Sequence, residues 1–151
     1  MGLASTAAFF TGEGFAVRRM AQAEVEGPAA SAAAAQGTRT YPGVDGWSNG
    51  YLSPGTQVVA GKDGPMGSFF TTMDELQSVN YSQKALWDGL QVAPHKELGP
   101  RTQVTIFEVP HYTPAAYGKA TANTNWGMGG LNQIYIPNFS GLKPIGTFTL
   151  K

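Results

Sequence analysis

Apolar and polar positions alternate most regularly between Thr102 and Val109. Val104 and Ile106 face one way, Gln103 and Thr105 the other, which predicts a strand. Pro110 ends it, because proline has no N–H to give to a ladder. Gln57–Ala60 and Ser68–Thr71 read as two further strands around the turn-rich Gly61-Lys62-Asp63-Gly64-Pro65. Leu131–Ile136, closed by Pro137, and Ile145–Leu150 predict two more. Between these the period changes. Thr72-Met73-Asp74-Glu75 has the spacing of a capping box, with Thr72 as the cap and Glu75 reaching back. Leu86 and Leu90, with Trp87 beside them, form one apolar stripe on a helix from about Ser82 to Leu90. The sum is an α+β domain: a small curved sheet, antiparallel or mixed, with two or three short helices.

The first forty residues follow neither pattern. Ala29 to Ala35 is an alanine run broken only by Ser31, placed after Gly27-Pro28. No aromatic occurs from Ala16 to Thr40. This stretch reads as an alanine-rich leader or linker over 1–40, with room for a short helix from Phe15 to Glu26. The working domain is expected over 41–151. Phe9 and Phe10 have no basic segment before them, so the start does not read as a secretory signal.

Composition narrows the function. The 151 residues suit one domain. Charged residues are 13% and the formal net charge is +0, without the basic surplus of a nucleic-acid binder. No run approaches the roughly 18 apolar residues of a membrane span. With Cys 0 and His 2, thiolate chemistry is excluded and no metal site is expected. Neutrality is nevertheless an average. After Glu108 there is no Asp or Glu, while His111, Lys119, Lys143 and Lys151 remain. A locally basic half suits a small phosphorylated ligand better than a long polyanion.

Two stretches could carry chemistry. In Trp126-Gly127-Met128-Gly129-Gly130-Leu131-Asn132-Gln133-Ile134-Tyr135-Ile136, a glycine turn leads into a strand. Asn132, Ile134 and Ile136 share one face and Gln133 with Tyr135 the other, so Gln133 projects at the mouth of the turn. A neutral amide there can orient a water or a ribose hydroxyl, since it both donates and accepts. In Gly67-Ser68-Phe69-Phe70-Thr71, Ser68 and Phe70 share a face and Phe69 offers an aromatic platform on the other. The bland alternatives are a hairpin with a surface glutamine and a pair of core phenylalanines. Gly127-Met128-Gly129 does not lead from a strand into a helix and is no dinucleotide fingerprint. No phosphate loop, nucleophilic triad or paired carboxylate is apparent.

In the order Pro54-Gly55-Thr56, Gly67-Ser68-Phe69-Phe70-Thr71-Thr72, a helical middle, the Val104–Val109 strand and Gly129-Gly130-Leu131-Asn132-Gln133-Ile134, the chain resembles the NAD(P)+ glycohydrolase toxins of bacterial competition and virulence. These include necrotizing-toxin domains and toxin domains of type VI secretion effectors. The resemblance covers about residues 41 to 140. It implies an ADP-ribosyltransferase-like core, cleavage of the nicotinamide–ribose bond of NAD or NADP as substrate, and no cofactor. It also implies a cognate immunity protein, a secretion apparatus or parent polypeptide that delivers the domain, and action in the cytoplasm of a target cell. The family's functional glutamine falls on Gln133. Its phosphate-binding arginine has no counterpart in Val58-Val59-Ala60-Gly61-Lys62, where Lys62 supplies a point charge; Arg101 is the other candidate. For that chemistry the residues present offer Phe69 or Trp126 to stack on nicotinamide, Ser68 to bond its amide or the ribose, and Gly129 and Gly130 to permit close backbone approach. Lys119 is a further candidate for the pyrophosphate. Two other functions fit the residues. A mono-ADP-ribosyltransferase is disfavoured because no glutamate follows Glu108. A non-catalytic binding or assembly module of a larger secreted protein suits the low charge and the many Gly and Pro.

Overall fold

In a computed structural model, residues 17–19, 27–62 and 67–151 are described. Strands β1 (Val17–Arg19), β2 (Ser48–Leu52), β3 (Gln57–Gly61), β4 (Phe69–Thr72), β5 (Gln103–Glu108), β6 (Thr113–Lys119), β7 (Asn132–Tyr135) and β8 (Lys143–Thr149) form one sheet. Its order is β1-β2-β6-β7-β4-β3-β5-β8, and every pairing is antiparallel. Three helices accompany it: α1 (Pro28–Gln36), α2 (Met73–Ser78) and α3 (Gln83–Leu90).

The sheet turns at β4. Phe69 and Phe70 pair with Tyr135 and Ile134 of β7, whereas Thr71 and Thr72 pair with Val59 and Val58 of β3. Each half of this four-residue strand therefore belongs to a different half-sheet. Strand alternation then sorts the core into two clusters. Val58, Phe70, Phe107, Ile134 and Ile136 pack together with Leu52 and Val109, and the Phe70 and Phe107 rings meet edge-on at 5.9 Å. Val59, Val104 and Ile106 turn the other way, onto Leu76 of α2 and Leu86 of α3. The outer face of the β3–β5 half is thus covered by α2 and α3. The outer face of β2, β6 and β7 meets α1.

The predicted strands and the two helices near Thr72 and Ser82 are present. Thr72 caps α2 by accepting from the Glu75 N–H, and Ser82 caps α3 by accepting from Ala85 N–H. One detail of the capping box differs. The Glu75 carboxylate turns to β7 and accepts the Asn132 N–H, which ties α2 to the glutamine strand.

Three elements depart from the pattern reading. The alanine run is α1, with Ala32 fully buried and Gln36 8% exposed, because a helix of small side chains can lie close against a sheet. Of the helix expected over Phe15–Glu26, the described residues Val17–Arg19 form β1, paired to Gly50–Leu52; the rest lies outside the described residues, as do residues 63–66 of the turn after β3. The third is β6, which contains Pro114. β7 covers only Ala116–Lys119, so Pro114 sits where β6 has a neighbour on one side only.

Candidate functional site

The turn at β4 leaves a cleft of about 410 Å³ between α1 and α3. Its floor is the outward face of β3, β4 and β7, and its walls carry Gln36, Tyr41, Trp87 and Arg101. Gln133 and Phe69 both line it. β7 puts Ile134 and Ile136 into the core, so alternation sends Gln133 to the cleft side.

Gln133 is 7% exposed, and its amide is held. Gln133 Nε2 donates to Asp45 Oδ2 at 2.6 Å. A carboxylate only accepts, so the NH₂ of the amide must face it, and Oε1 is the acceptor turned elsewhere. The same Oδ2 accepts from Gln36 Nε2 at 2.6 Å. Asp45 Oδ1 accepts from the N–H groups of Thr121 at 2.8 Å and Ala122 at 2.7 Å. Asp45 is 5% exposed and pairs with no cation among the described residues. Burial pushes its carboxyl up, but the hydrogen bonds from Gln36, Thr121, Gln133 and Ala122 outweigh it, and the pKa lies below the ordinary value.

Arg101 enters from the opposite wall, just before β5. Its Nε is buried without a hydrogen-bond partner among the described residues. Gly61 makes room for it: a Cβ there would come within 2.6 Å of Arg101 Cδ. Trp87 Nε1 donates to the Arg101 carbonyl at 2.8 Å and fixes the backbone. Tyr41 stands close by, its hydroxyl accepting the Ala93 N–H at 2.7 Å. Burial raises the Tyr41 pKa, against that bond and the attraction of Arg101. Tyr41, Trp87 and Arg101 also line an adjoining cavity of about 590 Å³ that runs out to His95 and Lys96. The two cavities share Thr40, Tyr41, Trp87, Val92 and Arg101 in their linings, and Glu97 lines only the second.

Phe69 stands 40% exposed at the rim, within a trio of rings: 5.0 Å from Tyr135 and 5.9 Å from Trp47. Other predicted residues lie apart from the cleft lining. Lys62 is exposed past the end of β3, and its N–H bonds to the Gln103 carbonyl. The Ser68 carbonyl accepts the Ile136 N–H beside the cleft. Trp126 lines a separate cavity with Trp87 and Met128 and donates to the Thr40 carbonyl. Gly129 and Gly130 have φ of 74° and 100° and donate to the carbonyls of Asp88 and Ala120, docking their turn on α3 and β6. Lys119 is exposed at the end of β6. Thus the structure brings together Gln133, Phe69 and Arg101, and adds Asp45, Gln36 and Tyr41, which pattern reading did not single out. Among the described residues no three His, Asp or Glu cluster as metal ligands, and no helix is long and apolar enough to cross a membrane.

Comparison with known proteins agrees with a toxin domain. The sequence model of the Rhs1 C-terminal toxin domain matches residues 24–138. The structure of Rhs1-CT in complex with its cognate immunity protein RhsI1 is similar at 34% identity and a TM-score of 0.76, over 81% of this chain and 95% of that one. Tse6, solved in complex with Tsi6, matches at 12% identity and a TM-score of 0.46, over 66% and 72%. No match is found among curated proteins. The family match spans well over half of the sequence, and the chain belongs to the Rhs1 C-terminal toxin domains.

Proposed function

We propose that this toxin domain is an NAD(P)+ glycohydrolase, built on an ADP-ribosyltransferase-like core, that depletes the dinucleotide in a target cell. The observation that carries this reading is the convergence, in one cleft, of a buried amide, an aromatic platform and a guanidinium whose Nε has no partner among the described residues. A dinucleotide offers a matching set: a flat cationic ring, ribose hydroxyls and a pyrophosphate.

Hydrolysis joins NAD+ and water to give ADP-ribose, nicotinamide and one proton. The bond from ribose C1′ to the ring nitrogen breaks, its electron pair leaves with neutral nicotinamide, and positive charge develops on the ribosyl group. Gln133 Oε1, the acceptor end of the amide, stabilises that charge and orients the ribose hydroxyls or the attacking water. Phe69 stacks on the nicotinamide. Arg101 meets the pyrophosphate through its planar fork. The proton from water passes to solvent. Among the described residues no Asp or Glu lines this cleft, which favours transfer to water over transfer to an acceptor activated by a glutamate.

The immunity partner of Rhs1-CT supports a cognate immunity protein for this chain, and membership of the toxin family supports its delivery as part of a secreted effector. Purified domain incubated with NAD+ and with NADP+ is expected to release nicotinamide and free ADP-ribose, and Gln133→Ala is expected to lower release by roughly 1,000-fold in a protein that still folds, with a lower melting temperature because Asp45 loses a buried donor. Label transferred from NAD to protein, or no turnover by folded protein at micromolar concentration, would overturn the reading.

A further inference from the structure

Among the described residues Asp45 is a buried carboxylate without a cation, and five groups donate to its two oxygens. If its task were only to tie down the loop at Thr121 and Ala122, one oxygen would suffice. The other, Oδ2, receives two side-chain amides, from Gln36 and Gln133, each at 2.6 Å. Their roles differ. Gln36 cannot turn over, because its Oε1 already accepts from the Asp45 N–H at 2.8 Å and from Trp47 Nε1 at 3.1 Å. Gln133 faces the cleft, and the contact with Asp45 decides which end of its amide the cleft sees.

We propose that Asp45 is a positioning residue that fixes the Gln133 amide with its oxygen presented to the cleft, and that Gln36 locks Asp45 for this purpose. The catalytic half of this inference rests on the glycohydrolase reading; the structural half does not. An amide dipole aligned in advance stabilises positive charge without reorganising when that charge appears. The charge on Asp45 strengthens the alignment, since hydrogen bonds to an ionised acceptor are roughly twice as strong as neutral ones.

Asp45→Asn separates orientation from support. The new Oδ1 can still accept from Thr121 and Ala122, but the NH₂ at the old Oδ2 position confronts two donors. Gln36 is pinned, so Gln133 is the amide that turns over, and it then offers N–H to the cleft. Nicotinamide release is expected to fall about 100-fold in kcat, with KM within a few-fold of wild type. Asp45→Asn added to Gln133→Ala is expected to cost nothing further, because Asp45 acts through Gln133. Additive losses would mean an independent or merely structural role and would overturn the inference.

The side-chain amide of Gln133 in the wild-type protein gives a second readout that needs no activity. Its ¹⁵N-bound protons, assigned by their absence in Gln133→Ala, are expected to be shifted downfield and protected from exchange relative to exposed glutamines. Chemical shifts and exchange like those of a free side chain would overturn the inference. Wild type without turnover but with the shifted amide would remove the glycohydrolase reading and leave the orientation by Asp45 standing.

Discussion

Gln36 and Asp45 hold each other twice: the Asp45 N–H donates to Gln36 Oε1 at 2.8 Å, and Gln36 Nε2 donates to Asp45 Oδ2 at 2.6 Å. The last residue of α1 is thereby fastened to the loop before β2. The Gln36 side chain is 8% exposed in total, so its groups cannot turn to water if a partner is lost. Gln36→Ala strands the buried Asp45 N–H at a cost of about 1–3 kcal/mol and takes the acceptor from Trp47 Nε1, which is half-buried. The expected fall in melting temperature is roughly 10 °C. A fall of less than about 2 °C would show that α1 is not held by this contact.

The depressed pKa of Asp45 makes a prediction about acid. A carboxylate that is more acidic in the folded state adds stability above its unfolded value of about 4, and that stability disappears as pH falls through the lower folded value. Urea unfolding of wild type between pH 7 and pH 3 is expected to show this loss. Asp45→Asn has no such proton to bind. The stability difference between the two proteins should therefore be largest near neutral pH and shrink towards pH 3. A difference that stays constant with pH would contradict the direction of the shift.

Pattern reading found what local physics determines. Thr102–Val109 and Leu131–Ile136 alternate because Val104 with Ile106, and Ile134 with Ile136, turn into core clusters, and Thr72 and Ser82 cap helices with their own hydroxyls. It also placed Gln133 opposite Ile134 and Ile136. It could not see Asp45, which sits in Val-Asp-Gly-Trp, an ordinary turn sequence, and meets Gln133 across 88 positions. The alanine run misled for a related reason. Its hydrophobic signal is weak and has no periodicity, and the residue that ties it down is a polar one at its end. β6 was hidden by Pro114, whose neighbours on the β2 side had no visible pattern of their own.

Gly129 and Gly130 provide a test between binding and packing. Both have positive φ, which an L side chain adopts at a cost of about 1–2 kcal/mol. At Gly129 a Cβ would also stand 2.2 Å from the Ala120 carbonyl oxygen, whereas at Gly130 it would meet nothing within 4 Å. Gly130→Ala should cost about 1 kcal/mol and Gly129→Ala clearly more, about 3 kcal/mol, because backbone must move. Denaturant midpoints measure both. If these glycines hold substrate directly, the folded Gly130→Ala protein will show a raised KM; if they only dock the turn, its KM will match wild type.

Arg101 and Gly61 are coupled by space rather than by a bond. The guanidinium stem lies where a Cβ at position 61 would be, 2.6 Å from Cδ and 3.0 Å from one terminal nitrogen. Gly61 has ordinary backbone angles for a strand, so an alanine there strains nothing except the arginine. Gly61→Ala is therefore expected to push Arg101 off its wall and raise KM about tenfold, with kcat within a few-fold. Arg101→Lys keeps the charge but loses the planar fork and should raise KM by a similar factor; Arg101→Ala should raise it more. The decisive comparison is Gly61→Ala in the Arg101→Ala background. With the arginine gone there is nothing for the methyl group to displace, and KM should not rise further. A further rise would mean that Gly61 acts on substrate directly, through the close approach of β3, and that Arg101 is a bystander to its effect.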